Sequence, residues 1–156
     1  AFSLLTSTTD RSWWNMIRSG STITMEAWDM KYKPNSDWNH AWGTAPANII
    51  TRWIWGIKPA EPGFTKALIC PQLSGLTWAE ITVPTIKGSI HAQFKRLENG
   101  DEKYNFIIPD EMSGALLFFS GQNIKIIING RKTKYKTSGL NLSPGSYEII
   151  VRRKQS

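Results

Sequence analysis

The sequence predicts a mainly β fold: an antiparallel β-sandwich, jelly-roll-like, preceded by two or so helices. Three observations carry this. Apolar residues recur at i, i+3 and i+4 before position 58, and with period two after the punctuation KPAEPG at 58–63. Seven of the eight tryptophans stand before position 56. The later part is divided by the turn signals Asn99-Gly100, Asn129-Gly130 and Ser143-Pro144-Gly145.

The first helix is expected around Trp13, Trp14 and Ile17, with Ser7 and Asp10 as an acidic capping box ahead of it and Gly20 as its stop. The second lies in APANIITRWIWGI (45–57), where Ile49, Ile50, Trp53, Ile54 and Ile57 form one apolar stripe and Gly56 and Pro59 end the helix. With Trp53 and Trp55 both present, two helices alone offer too little surface to bury it. It needs the β region, another copy of the chain through its exposed helices, or more polypeptide.

Strands follow. Thr77, Ala79, Ile81 and Val83 alternate with Trp78, Glu80 and Thr82, and Ile90, Ala92 and Phe94 alternate with His91, Gln93 and Lys95. Further strands are expected at 66–70, 103–108, 114–119, 124–129, 131–137 and 147–153. About eight short strands joined by turns give a sandwich. The expected seam lies near Pro62, dividing a helical region, 1–62, from a β region, 63–156.

Composition narrows the function. The chain has 156 residues and a formal charge of +7, and its apolar runs are too short for a membrane span, which takes roughly 20 residues. Positions 1–62 carry six Lys/Arg against five Asp/Glu, and positions 63–156 thirteen against seven, so the excess is in the β region. There it gathers in RKTKYK (131–136) and RRK (152–154) with Tyr135 as the sole interleaved aromatic. This pattern reads as a solvated strand face and a tail, with no nucleic-acid partner expected. Cys70, the one cysteine, is expected to be a buried strand residue. His91 has no second ligand at metal-binding spacing, so neither metal nor cofactor is expected. The opening AFSLLTSTTD lacks an initiator Met and the pattern of a secretion signal, and suggests a chain that starts partway through a longer protein.

The densest chemistry is in TITMEAWDMKYKPNSDWNHAWG (22–43), which brings Glu26, Trp28, Asp29, Trp38, Asn39, His40 and Trp42 close together. TMEAWD (24–29), DWNHAWG (37–43), and GIKPAEPGF followed by ICPQLSGLTWAEITVPTIKGSI occur in one order across a helix-to-strand change. In these three pieces the chain resembles bacterial α-L-rhamnosidases of glycoside hydrolase family 78. They are similar to a Glu-x-Trp-Asp loop of the family's (α/α)6 barrel, the Asn-His start of its last helix, and the link into its C-terminal β-sandwich.

The resemblance implies that residues 1–62 are the end of a catalytic (α/α)6 barrel and that the chain is a C-terminal fragment of a glycosidase. It assigns Glu26 the role of general base in inverting hydrolysis of terminal α-L-rhamnose, and His40 that of a residue lining the sugar pocket. The general acid lies upstream, so the fragment alone is expected to be inactive, with the upstream part of the enzyme as its partner. It also implies a rhamnose-containing glycoside or polysaccharide as substrate, in a bacterial envelope or extracellular setting. Carboxylates beside tryptophans can have raised pKa values, which suits a base. Trp28, Trp38 and Trp42 can wall off the C6 methyl of a 6-deoxy sugar, with Asp29 and Asn39 holding the loop and the histidine behind them. The spacing from Glu26 to His40 is shorter than in better-known members. The alternative is a non-catalytic carbohydrate-binding sandwich, which should carry its tryptophans on strands; only Trp78 lies on one.

Overall fold

A computed structural model describes residues 2–73, 75–118 and 124–153, and the chain divides into two compact units, 1–49 and 50–156. This division falls ahead of the seam expected near Pro62. The physical reason is that Trp55 and Ile57 pack in the core of the β unit.

The first unit is made of short helices and turns. Helix α1 spans Phe2–Leu5 and α2 Trp13–Arg18. The cap of α2 is Ser12, whose hydroxyl accepts from the Asn15 N–H at 3.1 Å, and not the expected Ser7/Asp10 pair. A cap oxygen must sit within reach of the first free amides, and Ser7 is too far upstream to do so. The Gly20 turn closes the helix end at φ 87°. A 3-10 turn, Ala41–Thr44, leads into α3, Ala45–Ile49.

The second unit opens on a π-helical turn, Ile50–Ile54, in which the Trp55 N–H donates to the Ile50 carbonyl at 2.9 Å. The expected single helix over 45–57 is thus an α segment continued by a wider turn. That widening splits the stripe: Trp55 is buried at 2% exposure, whereas Trp53 stays 55% exposed with Lys58 over its ring. Gly56 has φ 66°, and a Cβ there would stand 2.1 Å from the Cys70 carbonyl oxygen, so only glycine permits this approach.

Ten strands follow among the described residues. The first sheet has the order β1 (Lys58–Pro59), β2 (Lys66–Ile69), β6 (Ser113–Leu116), β9 (Leu140–Leu142). The second has the order β3 (Trp78–Val83), β4 (Ile90–Arg96), β5 (Glu102–Ile108), β10 (Gly145–Arg153), β7 (Ile124–Ile128), β8 (Arg131–Thr133). Nearly all pairs are antiparallel. The exception is β2 with β6, which run parallel because the chain leaves the first sheet after β2 and crosses through the second before returning. The expected strand 114–119 ends at Leu116, and its last position, 119, lies outside the described residues. Strand 131–137 is shorter than expected, and β1 and β9 were not expected.

One apolar cluster joins both sheets, with Ile69 and Leu116 from the first facing Ile90, Phe106 and Ile149 from the second. The alternation read from the sequence is borne out in β4, whose burial runs buried–exposed from Ile90 to Lys95. Cys70 is buried just past β2 rather than in it, and burial pushes its thiol up. At the sheet margin Glu102, nearly buried, accepts from Tyr104 Oη at 3.1 Å, from Arg96 Nη1 at 3.3 Å and from Arg153 Nη2 at 3.0 Å. Burial, then the neighbouring carboxylate, raises the Tyr104 hydroxyl far above its ordinary value. No helix among the described residues is long and apolar enough to cross a membrane.

Candidate functional site

The stretch 22–43 folds back on itself as two lengths of irregular chain tied by backbone bonds. The Glu26 N–H donates to the Asp37 carbonyl at 2.8 Å, and the His40 N–H to the Thr24 carbonyl at 2.9 Å. Thr24 Oγ1 returns a bond to the His40 carbonyl at 2.8 Å, and Ser36 Oγ accepts from the Ala27 N–H at 3.2 Å. The turn residues Pro34, Asn35 and Ser36 make this reversal possible. Gly43 is buried at its base, where a Cβ would meet Thr24 Cβ at 2.7 Å and the Met25 carbonyl at 2.9 Å. Its carbonyl accepts from the Trp13 indole at 2.7 Å, which fixes α2 to the same framework.

These elements enclose a cleft of about 270 Å³ lined by Glu26, Trp28, Trp42 and Trp13, with Met16, Met25, Ala27 and Gly43 completing its wall. The structure therefore brings three of the sequence-selected residues to one place. Trp28 meets Trp13 edge to face, with centroids 4.9 Å apart, and the Trp42 indole donates to the Glu26 carbonyl at 3.2 Å. His40 stands one step back, its ring 4.8 Å from that of Trp42 and its Nδ1 buried with no hydrogen-bond partner. Trp38 is outside the cleft, exposed, with its indole on Met30 Sδ at 3.1 Å.

Asp29 is held beside the cleft. It accepts from Asn15 Nδ2 at 3.0 Å and from the Lys31 N–H at 3.1 Å, and the same Asn15 amide donates to the Trp28 carbonyl at 2.9 Å. Asn15 and, secondarily, the Lys31 amide hold the Asp29 carboxyl below the usual range. Asn39 is exposed and makes no hydrogen bond to another described residue, so here it supports neither loop nor histidine.

Glu26 is ion-paired with Lys33, and the Asp37 N–H reaches its other oxygen at 3.4 Å. The Lys33 ammonium, against an opposing effect of burial, draws the Glu26 carboxyl below the usual carboxylate range. This reverses the upward shift expected from the flanking tryptophans, because a charge-assisted bond to a nearby cation outweighs partial desolvation. Lys33 and the buried Asn15 are the residues sequence reasoning missed. Asn15 had a signal: an amide inside the otherwise apolar WWNMI. Lys33 had only its place across the turn from Glu26.

The arrangement offers one ionised carboxylate at an aromatic-walled cleft with an imidazole nearby, which suits holding a polyhydroxylated ring and polarising a water. Among the described residues no cluster of His, Cys, Asp and Glu could hold a metal ion.

Two family models match in succession. Residues 1–54 match the bacterial alpha-L-rhamnosidase 6 hairpin glycosidase domain, and residues 56–126 the bacterial alpha-L-rhamnosidase C-terminal domain. Together they take in well over half of the chain, in the family's own order. The chain belongs to the bacterial alpha-L-rhamnosidase family. An alpha-L-rhamnosidase of Alteromonas sp. (strain LOR) is 29% identical over 98% of the chain, which spans 18% of that relative. Among solved structures, the alpha-L-rhamnosidase of Aspergillus terreus matches with a TM-score of 0.76 and 20% identity over 97% of the chain and 17% of its own. That of Dictyoglumus thermophilum gives 0.74 and 19% over 97% and 18%. The alpha-L-rhamnosidase of Streptomyces avermitilis, complexed with L-rhamnose, gives 0.72 and 20% over 96% and 16%. These structures share the fold, a C-terminal β domain preceded by helices. The chain spans less than a fifth of the length of the relatives it matches.

Proposed function

We propose that this chain is the C-terminal part of an inverting glycosidase that removes terminal α-L-rhamnose from a glycoside or polysaccharide, and that Glu26 is its general base. The observation that carries the reading is the cleft itself: Glu26 is the one carboxylate lining it among the described residues, set between Trp28 and Trp42. Inversion requires a carboxylate that takes a proton from water on one face of the sugar while an acid on the other face protonates the leaving oxygen, the two about 6.5–9.5 Å apart. Glu26 is ionised, as the first task requires, although its ion pair with Lys33 lowers its basicity. The acid is supplied by polypeptide outside this chain, so the chain alone is inactive on this reading. On this reading residues 1–54 belong to the catalytic barrel and the residues that follow to the C-terminal sandwich, whose core takes in Trp55 and Ile57.

Trp28 and Trp42 give a flat apolar face to the C6 methyl of a 6-deoxy sugar. His40 stands behind this wall with its ring against Trp42, and acts on the sugar by positioning that indole. The rhamnose complex of the Streptomyces avermitilis relative supports this choice of sugar.

The test is steady-state hydrolysis of an aryl α-L-rhamnoside by the whole enzyme. Glu26→Gln keeps the shape of the side chain and lowers kcat by about 10²–10⁴-fold with KM little changed, the contribution expected of a general base. His40→Ala raises KM more than it lowers kcat. Normal turnover in a folded Glu26→Gln enzyme overturns the assignment.

A further inference from the structure

The outer face of the six-stranded sheet carries an aromatic and polar array that the catalytic reading does not use. Trp78, on the edge strand β3, is 69% exposed, the most open tryptophan among the described residues. It stands opposite Lys95, which stands opposite Lys103. Two positions along, Glu80, Gln93, Asn105 and Glu148 form a straight row over four adjacent strands, each residue the register partner of the next. Trp78, Glu80, Gln93, Lys95 and Asn105 line an open cleft of about 430 Å³.

We infer that this face is a second carbohydrate-binding site, separate from the cleft at Glu26, which takes an extended stretch of pyranose units from the glycan the enzyme degrades. The inference rests on the rhamnosidase reading for the identity of that glycan. Three features point to a sugar. The Trp78 indole offers an open flat surface for the C–H face of a pyranose ring. The row beside it supplies both kinds of hydrogen-bonding group that hydroxyls need: acceptors on Glu80 and on the Glu148 oxygen not paired with Lys103, and amides that do both on Gln93 and Asn105. Strands lie about 4.8 Å apart, so the four residues span about 14 Å, which suits a repeating linear ligand better than a compact one. Gln93 and Asn105 are joined only by a long 3.4 Å bond, which leaves most of their capacity open.

Other occupants fit less well. A protein interface core is depleted of charge, whereas this face sets Glu80, Lys95, Lys103 and Glu148 around a single aromatic. Nucleic acid needs a cationic track with several stacking rings, and here Lys103 is already paired with Glu148 at 2.5 Å.

The experiment is a titration of the ¹⁵N-labelled 156-residue chain with a linear α-L-rhamnosyl oligosaccharide. The Trp78 indole signal and the backbone amides of 79–80, 93–95 and 103–105 should shift together. Trp78→Ala, at an exposed position, should weaken binding by about tenfold, the scale of one aromatic contact, and the double variant Gln93→Ala/Asn105→Ala should do the same with Trp78 in place. Shifts confined to residues 22–43, or affinity unchanged in both variants, overturn the inference. The catalytic reading is tested separately by hydrolysis of an aryl α-L-rhamnoside by the whole enzyme. Binding at Trp78 without hydrolysis sinks only that reading, and hydrolysis without binding at Trp78 sinks only the inference.

Discussion

The two units of this chain use apolar residues in opposite ways. In the β unit, Ile69, Ile90, Leu116, Ile149 and Val151 are wholly buried, and strands distant in sequence meet over one core. In the helical unit, Trp14, Ile17 and Trp42 are 50%, 63% and 67% exposed, and the residues it does bury include Ser12, Asn15 and Ser36. An apolar cleft of about 350 Å³ opens there between α2 and the segment 21–24. A sheet region of this size can close on itself, whereas a few short helices cannot bury both faces of their tryptophans. The difference supports the proposal that the helical unit is part of a larger barrel and the β unit a self-sufficient domain.

The contrast can be broken by paired substitutions. Ile149→Ala removes a fully buried side chain and should cost about 2–5 kcal/mol in urea unfolding, whereas Ile17→Ala should change stability by less than about 0.5 kcal/mol. Equal losses would erase the distinction. Next in size, Glu102→Ala leaves the Tyr104 hydroxyl buried without its acceptor and should cost about 1–3 kcal/mol, toward the lower end because Arg96 and Arg153 remain partly solvated. Ser12→Ala removes the cap of α2 and should cost the helical unit about 1 kcal/mol, read from loss of the Trp13 environment in near-UV circular dichroism.

The smallest expected effect is on acid response. Asp10, Glu26 and Asp29 all have folded pKa values lowered, chiefly by Lys31, Lys33 and Asn15 respectively. Groups lowered in this way stabilise the folded state above the ordinary carboxylate range and lose that contribution as pH falls through their folded values. Acidification should therefore loosen residues 10–37 before the sandwich core, which is built mainly of apolar side chains with Glu102 at its margin. Followed by NMR, indole signals of Trp13 and Trp28 should move at higher pH than amides of β4 and β5. The reverse order would contradict the assignment of these pairs.

Much of the β unit was legible because alternation in β3 and β4 reports directly which face is buried. The turn pairs Asn99-Gly100 and Asn129-Gly130 were equally plain. The parallel pairing of β2 and β6 was not, since register between strands so far apart in sequence leaves no local pattern. The π turn at 50–54 was hidden for a related reason: a stripe spaced for an α-helix does not reveal that Trp55 will rotate into a core built by residues far downstream. At the site, Glu26, Trp28 and Trp42 are singled out by the density of polar and aromatic residues in 22–43 and by the family resemblance. The direction of the Glu26 shift was not legible, because it depends on Lys33, which only the folded turn at 34–36 brings to the carboxylate.

Hydrogen exchange across the whole chain tests the central claim most directly. The account predicts slow exchange in β2, β4, β5 and β10, at rates set by cooperative unfolding, and exchange in α2 and α3 faster by orders of magnitude, through local opening. Equal protection in α2, α3 and the central strands would contradict it, and would make the helical unit as complete a structure as the sandwich.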